Sequence, residues 1–170
     1  MTPPTTPPTT PPTTNEPQAA RQIIITRQFD APARLLFLAH SKPEHVMKWF
    51  GPVGWPLTTC DMDFRVGGRY HFAMTGPDGE PGPPFGGEYL EIEPDRRIVY
   101  SNGFKKPGSP RFVVEITFEE VGGKTTLTSV STFDSVAVRD EYAAMGFKEG
   151  TESGLDQLAD VVAALKARAA

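Results

Sequence analysis

Residues 111–133 read RFVVEITFEEVGGKTTLTSVSTF, and their pattern decides the fold. On either side of Gly122–Gly123 the inward residues recur at every second position. Phe112, Val114, Ile116 and Phe118 share one face, with Glu115 and Glu119 on the other. Successive side chains of a strand point to opposite faces, so this is a half-buried strand. Past VGGK, Leu127, Ser129, Ser131 and Phe133 repeat the period. Two such runs joined by a Gly-Gly pair predict an antiparallel hairpin. Its inward face carries two serines among apolar neighbours.

Working outward, the same period runs through the centre of the chain. In LTTCDMDF (57–64), Cys60, Met62 and Phe64 share a face, and Asp61 and Asp63 share the other. In RVGGRYHFAM (65–74), a Gly-Gly turn precedes Tyr70, Phe72 and Met74 on one face. TGPDGEPGPPFGG (75–87) is a turn-rich loop, and EYLEIE (88–93) and RRIVYSN (96–102) are further strands. QIIITRQFD (22–30) is rich in β-branched residues and opens the sheet. DAPARLLFLAH (30–40) then reads as a helix. Asp30 is placed as its cap, Pro32 lies in its first turn, and Leu35, Leu36, Leu38 and Ala39 form its stripe. Ser41 and Pro43 end it, and EHVMKW adds one or two turns. PEHVMKWFGPVGW (43–55) sets two Trp and a Phe among helix breakers. Trp49 and Phe50 are expected to pack inward, with Trp55 covering the same end from outside.

After the hairpin, one long helix is expected from about Ser135 to the last few residues. At about 100° per residue, Val136, Ala144, Phe147, Thr151, Leu155, Leu158, Val162 and Leu165 fall on one side. Gly146, Gly150 and Gly154 would lie in its interior, which points to close approach or to space left open. The whole order predicts an α+β fold. A curved antiparallel sheet of six to seven strands wraps around the long C-terminal helix, with two short helices after the first strand.

The bulk properties exclude several classes. The 17 basic residues are scattered, and 21 acidic ones leave a net charge of −4, so nucleic acid is not an expected partner. No apolar run approaches the ~20 residues that cross a bilayer, and the N-terminus lacks a basic start with an apolar centre. No membrane partner is expected, and a cytoplasmic location is. TPPTTPPTTPPTT (2–14) has nothing to bury, so residues 1–20 are expected to be an extended tail before a domain of 21–170.

Several stretches, in this order, resemble the activator-of-heat-shock-protein-90-ATPase homologue family of the START-like, helix-grip superfamily. They are FDAPARLLFLAHSKPEHVMKWFGP, CDMDFRVGGRYHFAMTGPDG, GGEYLEIEPDRRIVY, VEITFEEVGGKTTLT and KEGTESGLDQLADVV. The resemblance implies a largely apolar pocket between sheet and helix. It also implies a chaperone ATPase accessory, with a heat-shock-protein-90 partner, as one function. Two departures stand out. Phe50 replaces a frequent Trp, and Thr151 replaces the Trp that often follows the Glu-Gly of the last helix. If position 151 faces inward, that space is either refilled by a neighbour such as Phe147 or left open.

Candidate chemistry is sparse. His40, His45 and His71 have no ligand spacing and are expected at the surface, so no metal site is expected. Cys60 reads as an inert thiol, and Asp61 and Asp63 as solvated charges. No nucleophile–base pair, catalytic constellation or cofactor motif is present. The expected ligand pocket comprises Trp49, Phe50, Met62, Tyr70, Phe72, Met74, Tyr100, Phe112, Val114, Ser129, Ser131, Phe147, Glu149 and Thr151. Its expected occupant is an apolar or aromatic small molecule. A polyketide-cyclase-like enzyme using the same pocket is the alternative, with Glu149 and Tyr100 as acid–base candidates. The oligomeric expectation is a monomer or weak homodimer.

Overall fold

The computed structural model describes residues 16–169. Most of the expected tail therefore lies outside the described residues. A short 3₁₀ helix, Gln18–Arg21, leads into β1 (Gln22–Phe29). Next come α1 (Ala33–Ser41) and α2 (Pro43–Trp49), then β2 (Leu57–Met62), β3 (Arg69–Met74), β4 (Phe85–Glu93) and β5 (Arg97–Asn102). β6 (Phe112–Val121), β7 (Lys124–Thr132), α3 (Val136–Ala144) and α4 (Phe147–Ala169) complete the chain. The seven strands form one antiparallel sheet in the order β1-β7-β6-β5-β4-β3-β2. The sheet curves around α4, which is a helix-grip fold.

The β6–β7 hairpin turns at Gly122–Gly123, with Val121 opposite Lys124. This register places Phe118 beside Leu127, Ile116 beside Ser129, and Val114 beside Ser131. All six are buried on the concave face. On β5, Tyr100 pairs with Val114 and Ile98 with Ile116, so two rows run across the sheet. One row carries Tyr100, Val114 and Ser131; the other carries Ile98, Ile116 and Ser129. Each row holds hydroxyls within apolar surface.

Four local expectations are corrected. The last helix is two helices. Ser135 caps the first, its hydroxyl accepting from the Val138 amide at 3.1 Å. The turn at Met145–Gly146, with Gly146 at φ +85°, then separates α3 from α4. Gly146 is thus a helix-terminating residue, and Ala144 is exposed while Tyr142 is buried in its place. Second, Asp30 does not cap α1. The Ala33 amide donates to Glu120 Oε1 on β6 at 2.8 Å, and Lys166 Nζ donates to the Asp30 carbonyl. Third, β4 begins at Phe85, inside the expected loop. Gly86 and Gly87 belong to the strand because a Cβ would lie only 2.2 Å from the Tyr70 carbonyl oxygen and 2.1 Å from that of Ser101. Two neighbouring strands therefore close in on this point.

The fourth correction concerns His40. It sits one turn after Leu36 on the α1 stripe and is buried, not at the surface. Helices α1 and α2 pack over one end of the sheet and against α4. Helix α4 contributes Leu155, Leu158, Val162 and Leu165 to the continuous core. Fully burying each such side chain is worth about 1.5–3 kcal/mol. Among the described residues, no helix is long and apolar enough to cross a membrane.

Candidate functional site: a cavity between sheet and helix

Apart from the packing of Phe147 on Phe112, the concave face and the N-terminal half of α4 stand apart. A cavity of about 410 Å³ separates them. Its floor is the two rows of the sheet: Tyr100, Phe112, Val114, Ile116, Leu127, Ser129 and Ser131. Its roof is Phe147, Gly150, Thr151, Gly154 and Leu155 of α4. At positions 150 and 154 the helix offers no side chain at all. At 151 the Thr hydroxyl folds back to donate to the Phe147 carbonyl at 2.8 Å, leaving only its methyl as bulk.

One end is closed by α2 and the segment after it. Trp49 is buried and donates its indole N–H to the Ala39 carbonyl at 3.0 Å. Phe50 stacks on Phe85 at 5.9 Å and meets Phe72 edge-on at 5.4 Å. The Gly51–Pro56 loop is tied to α4 on its outer side. Gln157 Nε2 donates to the Gly51 carbonyl at 2.7 Å, and the Val53 amide donates to Ser153 Oγ at 3.0 Å. Trp55 lines the cavity as well. The opposite end is an aromatic cluster in which Phe112, Phe133, Tyr142 and Phe147 pack at 4.7–6.0 Å. Met145 lines the cavity and is 61 % exposed, so the space reaches the surface at the α3–α4 turn.

Of the residues expected in the pocket, Trp49, Phe50, Met74, Tyr100, Phe112, Val114, Ser129, Ser131, Phe147 and Thr151 line this cavity. Met62, Tyr70 and Phe72 line a neighbouring void of about 40 Å³ instead. His40, Trp49, Phe50 and Tyr100 border both spaces. Glu149 is a correction: it is exposed and lines neither space. It lies two residues from both Phe147 and Thr151, on the outer side of the helix.

The expected pocket omitted several lining residues, Phe85, Asn102, Phe104, Tyr142 and Met145 among them, and also His40. Its ring is held between Trp49 at 4.7 Å and Phe118 at 5.2 Å. Nδ1 donates to the Leu36 carbonyl at 2.7 Å, which leaves Nε2 as a buried acceptor without a partner. Burial pushes its pKa down to about 4, partly countered by the Leu36 bond, so the ring is neutral near pH 7. The signal was present, since His40 follows Leu36 by four residues and continues the helical stripe.

The remaining polar lining residues are Asn102, whose Oδ1 accepts from the Gly103 amide at 2.8 Å, Trp55 and several hydroxyls. Those of Tyr100, Ser129 and Ser131 have no hydrogen-bond partner among the described residues. Burial raises the Tyr100 phenol well above its usual range, so it stays protonated and able to donate. Cys60, half-buried under α2, has its thiol pushed up to about 11 by burial and by Asp61, which keeps it unreactive near neutral pH. Asp61 is exposed, and Asp63 pairs with Arg65 at 2.9 Å.

The seven-stranded grip, the two short helices and the interior cavity define a START-like, helix-grip domain. Residues 30–163 match the family described as "Activator of Hsp90 ATPase homolog 1-like protein". This chain belongs to that family. Among solved structures, it is similar to a protein of Nitrosomonas europaea at 26 % identity and a TM-score of 0.79, covering 88 % of this chain and 98 % of that one. A Mycobacterium smegmatis protein is 28 % identical with a TM-score of 0.76, over 89 % of this chain and 96 % of that one. A Staphylococcus epidermidis protein is 32 % identical with a TM-score of 0.71, over 84 % and 89 %. No curated protein matches the chain.

Proposed function

We propose that this protein binds an apolar or aromatic small molecule between the sheet and α4. The observation that carries the reading is the cavity of about 410 Å³, whose walls are aromatic and aliphatic with a few convergent hydroxyls. Ligand sites usually have about 300–1,000 Å³ and this mix of lining. The Thr at 151 supports it, because its folded-back side chain leaves room that a larger residue would fill, while the glycines at 150 and 154 let the Trp49–Pro52 segment lie close to the helix. Titration with a panel of hydrophobic compounds, followed by amide NMR, tests it. Saturable shifts at Tyr100, Ser129, Ser131 and Thr151 are expected; no shifts at these residues across the panel would overturn it.

The enzyme reading loses one of its two acid–base candidates, because Glu149 faces solvent. The chaperone reading takes its support from the family description alone. Unchanged ATP hydrolysis by the chaperone on addition of this protein would remove it.

A further inference from the structure

We propose that the ligand is uncharged and carries a hydroxyl or carbonyl group that hydrogen-bonds to the hydroxyls of Tyr100 and Ser131. This rests on the binding reading and narrows it to a class of ligand.

Charge is the first argument. Among the described residues that line the cavity, none is Asp, Glu, Lys or Arg. The one titratable base in the wall, His40, is neutral near pH 7, and its Nδ1 proton is already engaged with Leu36. A buried carboxylate or ammonium needs a partner of opposite charge, and here it would find none. An aromatic face such as that of Trp49 or Phe50 attracts a cation, so cations need their own arm in the test.

Polarity is the second argument. Tyr100 and Ser131 flank Val114 in one row of the register, so their hydroxyls rise from the same line of the sheet floor. Neither has a side-chain hydrogen bond among the described residues, and both line the cavity, Tyr100 half-buried and Ser131 2 % exposed. Buried hydroxyls are normally hydrogen-bonded, and a hydroxyl both donates and accepts. Ser129 lies one row further on, beside Ile116, and extends the polar track. A pure hydrocarbon would leave all three without partners. A ligand with one oxygen over this row, and rings against Trp49, Phe50 and Phe85, satisfies both surfaces. At interior packing density the cavity holds roughly fifteen to twenty non-hydrogen atoms.

Four probes with one ring system test this: 2-naphthalenemethanol, 2-ethylnaphthalene, 2-naphthoate and the 2-naphthylmethylammonium ion. Affinities come from amide NMR titration at neutral pH, for the full-length protein and for Ser131→Ala, Tyr100→Phe and the double variant. The alcohol is expected to bind at least tenfold more tightly than either ion. The ratio of alcohol to hydrocarbon affinity is expected to fall at least fivefold in the double variant. Because that ratio is taken within each variant, a general loss of stability does not move it, and either single variant gives the same reading if the double one does not fold. Either ion binding as tightly as the alcohol overturns the claim about charge. An unchanged ratio overturns the role of the two hydroxyls. In both cases the binding reading survives. Failure of all four probes to bind overturns the inference and the binding reading together.

Discussion

The two halves of α4 face the same sheet and do opposite things. From Leu158 to Leu165 the helix presents Leu, Val and Leu, each at most 8 % exposed, and the interior is solid. From Phe147 to Gly154 it presents one aromatic ring, a Thr folded back on its own backbone and two glycines, and a cavity opens beneath. The backbone is one continuous helix across the boundary. Side-chain volume therefore does much to divide core from cavity along one helix. The first half supplies stability, and the second gives some of it up for space.

The sharpest way to break this contrast is to cut into the solid half. Leu158 is fully buried, so Leu158→Ala should cost about 2–5 kcal/mol in urea unfolding. A cost below 1 kcal/mol would mean that this half is also loosely packed.

His40 stands where the two spaces and the core meet, against Phe118 on one side and Trp49 on the other. Its pKa is near 6.5 in the unfolded chain and about 4 in the folded one. Between those values the unfolded chain binds the extra proton, so stability is lost as pH falls from 6.5 toward 4. The loss from this group is on the order of 3 kcal/mol. Urea unfolding at pH 7, 5.5 and 4.5 should show it, and His40→Gln should flatten the profile in that window. An identical slope in the variant would show that His40 is not buried as described.

Smaller effects should separate the two glycines of the open half. A Cβ at Gly150 meets only Pro52 at 3.9 Å, so Gly150→Ala should stabilise the protein by up to ~1 kcal/mol. A Cβ at Gly154 lies 3.1 Å from the Trp49 carbonyl oxygen and 3.4 Å from the Gly51 amide nitrogen. Gly154→Ala should give none of that gain, and thermal unfolding of both variants checks it. Equal gains would place the α2 end further from α4.

The sheet was largely legible in the chain, because alternation is local. Phe112 to Phe118 and Leu127 to Phe133 state their own faces, and the Gly-Gly pair fixes their register. The inward serines followed from that same alternation, and so did Thr151 from the helical period. What escaped the reading depends on contacts distant in the sequence. Nothing in the chain announces that Glu120 caps α1, 87 residues away. His40 looked like a surface residue until Trp49 and Phe118 enclosed it. Glu149 drew notice through a motif, although its position two residues from Thr151 already put it on the outer face. The break at Gly146 hid because a glycine within an apparent stripe reads as a gap in a helix as readily as its end.

The central claim is that the N-terminal half of α4 roofs a ligand space. Amide NMR titration of the native protein and of Thr151→Trp with 2-naphthalenemethanol tests it most directly. The native protein should show saturable shifts at Tyr100, Ser131 and Thr151 and none at Leu158 or Val162. The variant should stay folded, because the indole enters existing space, and its affinity should fall at least tenfold. Shifts centred on the C-terminal half of α4, or equal affinity in a folded Thr151→Trp variant, would contradict the account.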